Sequence, residues 1–174
     1  IAGYDLRKNP QGVSSHIGYV SQAGGADVSL NAYENLVLHA RLHNIVREKA
    51  DAYAKRLVER FEMKEFAGRI VRTYSGGQRR RLDLALGIVH RPPVVFLEEP
   101  TTGLDPQSRA YFWGEIRRFR EDGMTVFLTT HYLGEADVLC DRLAIIDHGV
   151  IVARGSPAEL KRTIGEESIA VGFE

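Results

Sequence analysis

Two consecutive carboxylates, Glu98 and Glu99, follow the all-apolar run Val94–Leu97. Such a run is typical of a strand that helices cover on both faces, and ligands of open α/β sheets bind beyond the carboxyl ends of the strands. Because successive side chains of a strand point to opposite sides, one carboxylate could face a metal ion and the other a water molecule. Phosphoryl transfer uses both, since Mg²⁺ neutralises phosphate charge while a second group orients the nucleophile. The alternative is a pair of solvated acids.

A second candidate site is the run Tyr74-Ser75-Gly76-Gly77-Gln78, at the start of an amphipathic helix. Two glycines let another molecule approach the backbone closely, and a helix start presents N–H groups that lack intrahelical partners. With the Ser75 hydroxyl as a further donor, this pattern predicts an anion site. The alternative is a glycine-containing turn in which Ser75 only caps the helix. We interpret the following Arg79-Arg80-Arg81 as a solvated charged run.

The composition narrows the class of protein. The chain has 174 residues, of which 44% are hydrophobic, so it can bury the core of one domain. Its 23 basic and 23 acidic side chains give zero net charge, which argues against a nucleic-acid partner. The single cysteine, Cys140, excludes an internal disulfide, and no apolar run approaches the roughly 20 residues of a membrane-spanning helix. The first ten residues lack the apolar region of a secretory signal.

Lysine usage carries a separate signal, because phosphate loops of the Gly-Lys-Ser/Thr type need a lysine directly after a glycine. None of the five lysines in these 174 residues follows a glycine: Lys8, Lys49, Lys55, Lys64 and Lys161. The sequence therefore contains no such loop.

Hydrophobic periodicity and capping signals predict the elements that must position these residues. Asn31 with Glu34 forms a capping-box pattern, and Asp105-Pro106 is typical of a helix start. The turn 147–149 predicts a hairpin. Strands are predicted at 17–21, 94–97, 125–129, 143–146, 150–153 and 168–174, and helices at about 31–42, 47–61, 75–89, 105–120, 134–140 and 157–163. Strands that alternate with helices indicate a parallel sheet and the α/β class, with the helical stretch from about 30 to 90 inserted into it.

Five motifs together resemble those of one family, the nucleotide-binding domain of ATP-binding cassette (ABC) transporters. Their order and spacing between residues 17 and 131 make the resemblance very specific. In chain order they are similar to the family's Q-loop (Gln22), signature motif (Tyr74–Gln78, with tyrosine in place of the usual leucine), Walker B strand and following glutamate (Val94–Glu99), D-loop (Gly103-Leu104-Asp105) and switch histidine (Thr129-Thr130-His131). Glu34-Asn35-Leu36, Ala40-Arg41-Leu42 and Arg79–Pro93 further resemble the daunorubicin-resistance type of bacterial drug exporter.

The resemblance implies an α/β fold with a RecA-like P-loop NTPase core, a parallel sheet with helices, plus an inserted all-helical signature subdomain. Residues 1–22 and 91–174 would form the core, and residues 23–90 the helical subdomain. ATP and Mg²⁺ are the implied cofactors. The implied partners are an ABC transmembrane permease subunit and a second nucleotide-binding domain, joined head to tail. The implied location is cytoplasmic, peripheral on the inner face of the cell membrane.

The resemblance also implies roles at the acidic end of the predicted strand. Glu99 would be the general base or water-orienting residue. His131 would hydrogen-bond the γ-phosphate and hold the geometry of Glu99. Gln22 would reach Mg²⁺ or the attacking water, and its loop would touch the membrane partner. Glu98 would hold Mg²⁺ through water.

The resemblance also implies that the signature residues Ser75, Gly76, Gly77 and Gln78 bind the γ-phosphate of an ATP molecule that the opposite subunit holds. Asp105 would cap its own helix and cross the dimer interface. The catalytic unit would then be a nucleotide sandwich dimer, coupling ATP hydrolysis to export of a drug or other small molecule.

Two departures from the family pattern qualify this expectation. Glu98 stands where the family has aspartate, and its extra methylene moves the carboxylate by roughly one ångström, which octahedral Mg²⁺ tolerates poorly. The family's Walker A loop lies upstream of a segment that resembles Ile1–Asp5, so we expect an N-terminally incomplete cassette that is inactive by itself. The alternatives are a truncated or degenerate non-catalytic cassette and a non-transport ABC ATPase. The zinc-binding cysteine pairs and long insertions of the latter are not found in this sequence.

Overall fold

The computed structural model describes residues 1–164. The predicted strand at 168–174 lies outside them. The strands are β1 (Ile17–Val20), β2 (Val94–Glu98), β3 (Thr125–Thr129), β4 (Leu143–Asp147) and β5 (Val150–Gly155). The helices are α1 (Pro10–Ser14), α2 (Ala32–Leu42), α3 (Arg47–Arg60), α4 (Gly76–Gly87), α5 (Pro106–Glu121), α6 (Leu133–Leu139) and α7 (Pro157–Ile164), with a 3-10 turn at Val71–Thr73.

A parallel sheet of order β1-β2-β3 forms the centre of the first compact unit, Ile1–Thr129. Val20 pairs with Leu97, and Leu97 pairs with Leu128. The register therefore brings the carboxyl ends of all three strands to one edge. This is the edge at which ligands bind in open α/β sheets.

Helix α4 lies against β1 through two glycines. A Cβ at Gly18 would lie 2.1 Å from the carbonyl oxygen of Gly87, and a Cβ at Gly87 would lie 2.5 Å from Val20 Cγ2. Neither position accommodates a larger residue without movement of buried atoms. The glycines thus set the distance between the helix that begins at Ser75 and the strand that ends before Gln22.

An aromatic row crosses the other face of the sheet. Tyr19 pairs with Phe96 and Phe96 with Phe127, so the three rings stand side by side. Tyr19 is 61% exposed and Phe127 is 58% exposed, whereas Val95 and Leu97 on the opposite face are buried. On β2 itself, Val94 and Phe96 are partly buried on the face of the aromatic row. Among the described residues, the expectation that β2 is covered on both faces is therefore confirmed for the face of Val95 and Leu97 and only in part for the other face.

Every element between β1 and β2 is helical. The Asn31–Glu34 capping box starts α2 as predicted, and α3 turns Ala50, Ala54 and Val58 into the core. α2 packs on both α3 and α4. The partition that makes residues 23–90 a subdomain stays a prediction. α1, which Asn9 caps, was not predicted, because a five-residue helix offers too little periodicity.

A second compact unit begins at Thr130. In it, β4 and β5 form an antiparallel hairpin through the predicted turn, and α7 packs on β5. None of the helices in residues 1–164 combines the length and the hydrophobicity needed to span a bilayer.

Candidate functional site

The two consecutive carboxylates lie at the carboxyl edge of the sheet, where Gln22 contacts both. Glu98 Oε2 accepts hydrogen bonds from the Tyr19 hydroxyl at 2.9 Å and from the Gln22 backbone N–H at 3.2 Å. Glu99 Oε2 accepts from Gln22 Nε2 at 3.2 Å and from Thr102 Oγ1 at 3.0 Å. The fold thus joins the predicted residues of two loops, which lie more than 70 positions apart in sequence.

Glu99 has a left-handed backbone, with φ of +43°. Non-glycine residues adopt this region at a cost of order 1–3 kcal/mol, which the surrounding structure must offset. Its backbone N–H donates to Thr129 O at 3.0 Å, and its carboxylate is half-buried between Gln22 and Thr102. The backbone therefore turns sharply directly after β2 and holds this carboxylate at the strand end.

The chemistry of these side chains fits Mg²⁺. Carboxylate and amide oxygens are its preferred protein ligands, and it usually retains several waters. Glu98 and Gln22 supply one of each at the same edge. Among the described residues, no group of three or more His, Cys, Asp or Glu side chains forms a metal-binding cluster.

Tyr19 was not predicted as a site residue. Its hydrogen bond to Glu98, together with partial desolvation and the negative charge of Glu98, raises the pKa of the Tyr19 hydroxyl above its usual value. Tyr19 therefore remains a donor to Glu98 across the physiological pH range. Thr102, the partner of Glu99, was missed as well. The available sequence signal was its position three residues after Glu99, from which a hydroxyl in a loop can reach the Glu99 carboxylate.

The glycine-containing run begins α4 with a capping box. Ser75 Oγ accepts from the Gln78 backbone N–H at 3.3 Å, and Gln78 Oε1 accepts from the Ser75 N–H at 3.1 Å. The N-cap interpretation of Ser75 is confirmed, while anion binding stays a prediction. Gly76 is exposed, and a Cβ there would meet no heavy atom within 4 Å. Nothing among the described residues requires glycine at this position.

Asp105 caps α5 as predicted. Its Oδ1 accepts from the Ser108 backbone N–H at 2.9 Å and its Oδ2 from Ser108 Oγ at 2.6 Å, which lowers the pKa of the Asp105 carboxyl. A Cβ at Gly77 would lie 3.4 Å from Ser108 Oγ. Asp105 therefore lies near the glycines that begin α4 within one chain. His131 lies in the second unit, is exposed, and follows β3.

The prediction of a solvated run at Arg79-Arg80-Arg81 is wrong for Arg80, which is 8% exposed. Arg80 is spaced by three, four and seven positions from the buried Asp83, Leu84 and Gly87. That helical spacing was the signal that the run of like charges concealed.

Known proteins share much of this chain's sequence. The chain is 46% identical over 166 residues to the doxorubicin resistance ATP-binding protein DrrA of Mycobacterium tuberculosis, covering 95% of this chain and 50% of that protein. It is 44% identical over 165 residues to the daunorubicin/doxorubicin resistance ATP-binding protein DrrA of Streptomyces peucetius, again covering 95% of this chain and 50% of that protein. The chain thus spans about half the length of the curated relatives it matches.

A solved structure described as the ATP-binding subunit of an ABC transporter superposes with a TM-score of 0.81 at 22% identity, covering 98% of this chain and 71% of that one. This likeness shows the fold, an α/β class with a RecA-like core. Residues 1–102, which include Gln22, the run Tyr74–Gln78 and both carboxylates, match the sequence model of the ABC transporter family. By that match the chain belongs to the ABC transporter family.

Proposed function

We propose that this chain forms part of the ATP-hydrolysing component of an ABC exporter that moves a drug or other small molecule. The observation that carries the proposal is the contact of Gln22 with both Glu98 and Glu99 at the carboxyl edge of the sheet. The drug-resistance names of the relatives support export. Because this chain covers 50% of each relative, we propose the activity for the longer protein and not for these 174 residues alone.

In this mechanism Glu98, through water, and Gln22 would hold Mg²⁺, which would neutralise charge on the phosphates. Glu99 orients the attacking water and accepts its proton. The hydrogen bonds from Gln22 Nε2 and Thr102 Oγ1 fix the Glu99 carboxylate before substrate arrives. His131, by its resemblance to the switch histidine, would donate to the γ-phosphate.

The signature turn would act on ATP held by a second subunit. Gly76 supports this role, because a glycine in the first turn of a helix lowers helix stability and no contact among the described residues offsets the loss. Close approach of a phosphate to the backbone N–H groups explains the residue. We therefore propose a head-to-tail sandwich dimer in which Ser75, Gly76, Gly77 and Gln78 bind the partner's γ-phosphate and Asp105 lies at the interface.

We further propose a membrane permease subunit as partner, which would place the protein at the cytoplasmic face of the membrane. Exposed apolar side chains on α2 and on the loop before it support the proposal that this permease subunit binds there. Val28, Tyr33, Leu38 and Leu42 are exposed there, and a cavity of about 570 Å³ lies between α2 and α3.

The test replaces Glu99 by glutamine in the full-length protein that contains this chain. We expect ATPase turnover to fall by at least about 100-fold, because glutamine keeps the size of the side chain but cannot accept the proton. With Mg-ATP, the Glu99→Gln protein should accumulate as a dimer in light scattering.

The exposed Glu121→Gln on α5 is the matched control and should retain full turnover. Unchanged turnover in Glu99→Gln, or a monomer under saturating Mg-ATP, would contradict the proposal. We also propose that these 174 residues alone hydrolyse ATP negligibly, since they contain no Gly-Lys-Ser/Thr loop to hold the β- and γ-phosphates. Turnover by the purified chain that Glu99→Gln abolishes would disprove that point.

A further inference from the structure

Arg80 connects the helix that carries the signature turn to the ends of two strands. Its guanidinium donates through Nη1 to Ser21 O at 2.6 Å, at the end of β1. Nη2 donates to Glu98 O at 2.8 Å and Glu99 O at 3.3 Å, and Nε donates to Pro100 O at 3.0 Å. One side chain thus binds the backbone on both sides of the acidic site.

These acceptors are carbonyl groups at strand ends, where regular sheet pairing stops. Buried carbonyl groups need partners, and a buried guanidinium needs acceptors for its donors. Arg80 meets both needs at once with planar, divergent N–H groups that reach two chain segments, at Ser21 and at residues 98–100. The arrangement leaves little freedom for Ser21 or Glu98 to move relative to α4.

Asp83, one turn further along α4, holds the adjoining loop. It is buried, and its Oδ1 accepts from the backbone N–H groups of Gly25 at 2.9 Å and Ala26 at 3.3 Å. A Cβ at Gly24 would lie 2.8 Å from the same carboxylate. Gln22 therefore lies between two backbone segments that α4 fixes, one through Arg80 and one through Asp83.

We propose that Arg80 is a positioning residue for ATP hydrolysis, which fixes the backbones next to Gln22 and Glu99 relative to the signature turn. The inference rests on the proposed function. Arg80 touches neither substrate nor the reacting atoms. It acts through the strand ends, so that the Glu99 carboxylate of one nucleotide site keeps a fixed position relative to the signature turn, which serves the other site of the proposed dimer.

The test compares Arg80→Lys and Arg80→Gln with Arg81→Lys in the full-length protein. Arg81 is a matched control on the same helix, because its guanidinium also makes specific contacts that a substitution changes. These are an ion pair with Glu62 at 3.2 Å and a cation–π contact with Tyr111 at 3.9 Å. We expect both Arg80 variants to lower kcat at least about 10-fold with KM for ATP within about 3-fold, since misplacement affects the chemical step more than binding. Arg81→Lys should keep kcat within about 2-fold of wild type.

Hydrogen exchange provides a readout that does not depend on activity. In the Arg80 variants, amide exchange in segments 21–26 and 98–102 should accelerate together, and in Arg81→Lys it should not. An unchanged kcat in a folded Arg80 variant, equal exchange in all variants, or failure of both Arg80 variants to fold while Arg81→Lys folds would overturn the proposal. If wild-type protein shows no ATPase that Glu99→Gln removes, the proposed function fails, and exchange alone then decides whether Arg80 links the two segments.

Discussion

At the scale of single residues, the acidic site is assembled by side chains that donate to carboxylates. Gln22 donates to both glutamates, Tyr19 to Glu98 and Thr102 to Glu99. The longer Glu98, where the family has aspartate, reaches the backbone N–H of Gln22. In this chain the Glu98 carboxylate thus joins the end of β2 to the loop after β1.

Gly76→Ala in the full-length protein should separate stability from activity. An added Cβ meets nothing within 4 Å, and alanine favours helices, so we expect the free energy of unfolding to stay equal or rise by up to about 1 kcal/mol. ATPase turnover should fall at least about 10-fold, because the methyl group blocks close approach of phosphate. Denaturant titration and steady-state ATPase assays measure the two effects. Full ATPase activity in Gly76→Ala would contradict a role of the signature turn in phosphate binding.

At the scale of elements, the α4–β1 contact depends on glycine for a different reason. Gly18→Ala should lower the free energy of unfolding by roughly 2–3 kcal/mol, because its Cβ would overlap the Gly87 carbonyl oxygen. Gly114→Ala on α5 is the control, where a Cβ meets nothing within 4 Å and stability should rise by about 0.5–1 kcal/mol. Urea denaturation of both variants checks the pair. Equal effects would mean that α4 does not approach β1 this closely.

A stacked pair of histidines joins the ends of α2 and α4. The rings of His43 and His90 lie 3.6 Å apart at an angle of 5°, and His90 Nε2 contacts Ile17 O at 3.0 Å. Burial, and secondarily the nearby His43, lowers the pKa of His90 from 6.5 to about 4, and burial also lowers that of His43. His16 opposes protonation of His90 as well. The folded state therefore favours the neutral rings.

Stability should accordingly depend on pH below neutrality. The His90 contribution is fully present above pH 6.5, and it is lost as pH falls from 6.5 towards 4, where the unfolded chain binds more protons. Between pH 7 and pH 5 we expect this contribution to fall by about 1 kcal/mol, less than full linkage because His90 is only partly buried. Denaturant titrations at both pH values should show a smaller fall in His90→Gln than in wild type. An identical fall in both would exclude His90 as the cause.

Elements with local signals could be predicted from the sequence, and contacts between distant segments could not. The caps at Asn31, Ser75 and Asp105 are confirmed. They could be predicted because each cap involves residues only three positions apart. The hydrogen bond of Tyr19 with Glu98 spans 79 positions, and no periodicity encodes it. The helical spacing of Arg80 indicates its burial, but no sequence pattern identifies its acceptors, which are backbone carbonyls of other segments.

At the scale of the whole molecule, a sandwich dimer predicts complementation between two inactive variants. Glu99→Gln lacks the water-orienting group, and Gly76→Asp places a negative charge where the partner's phosphate would bind, so each homodimer should be inactive. A mixed dimer contains one site with both wild-type parts. Random pairing of the full-length proteins should restore about one quarter of wild-type ATPase if the two sites act independently. No recovery in a mixture shown to contain mixed dimers would contradict composite sites.

The aromatic row also determines how these 174 residues behave as a sample. Tyr19 and Phe127 present apolar surface to water, and within the described sheet β3 pairs with β2 alone. Bare aromatic surface beside an open strand edge promotes self-association and binding of hydrophobic dyes. We therefore expect the isolated chain to associate as its concentration rises. A charged side chain at position 127 is the simplest route to a well-behaved preparation.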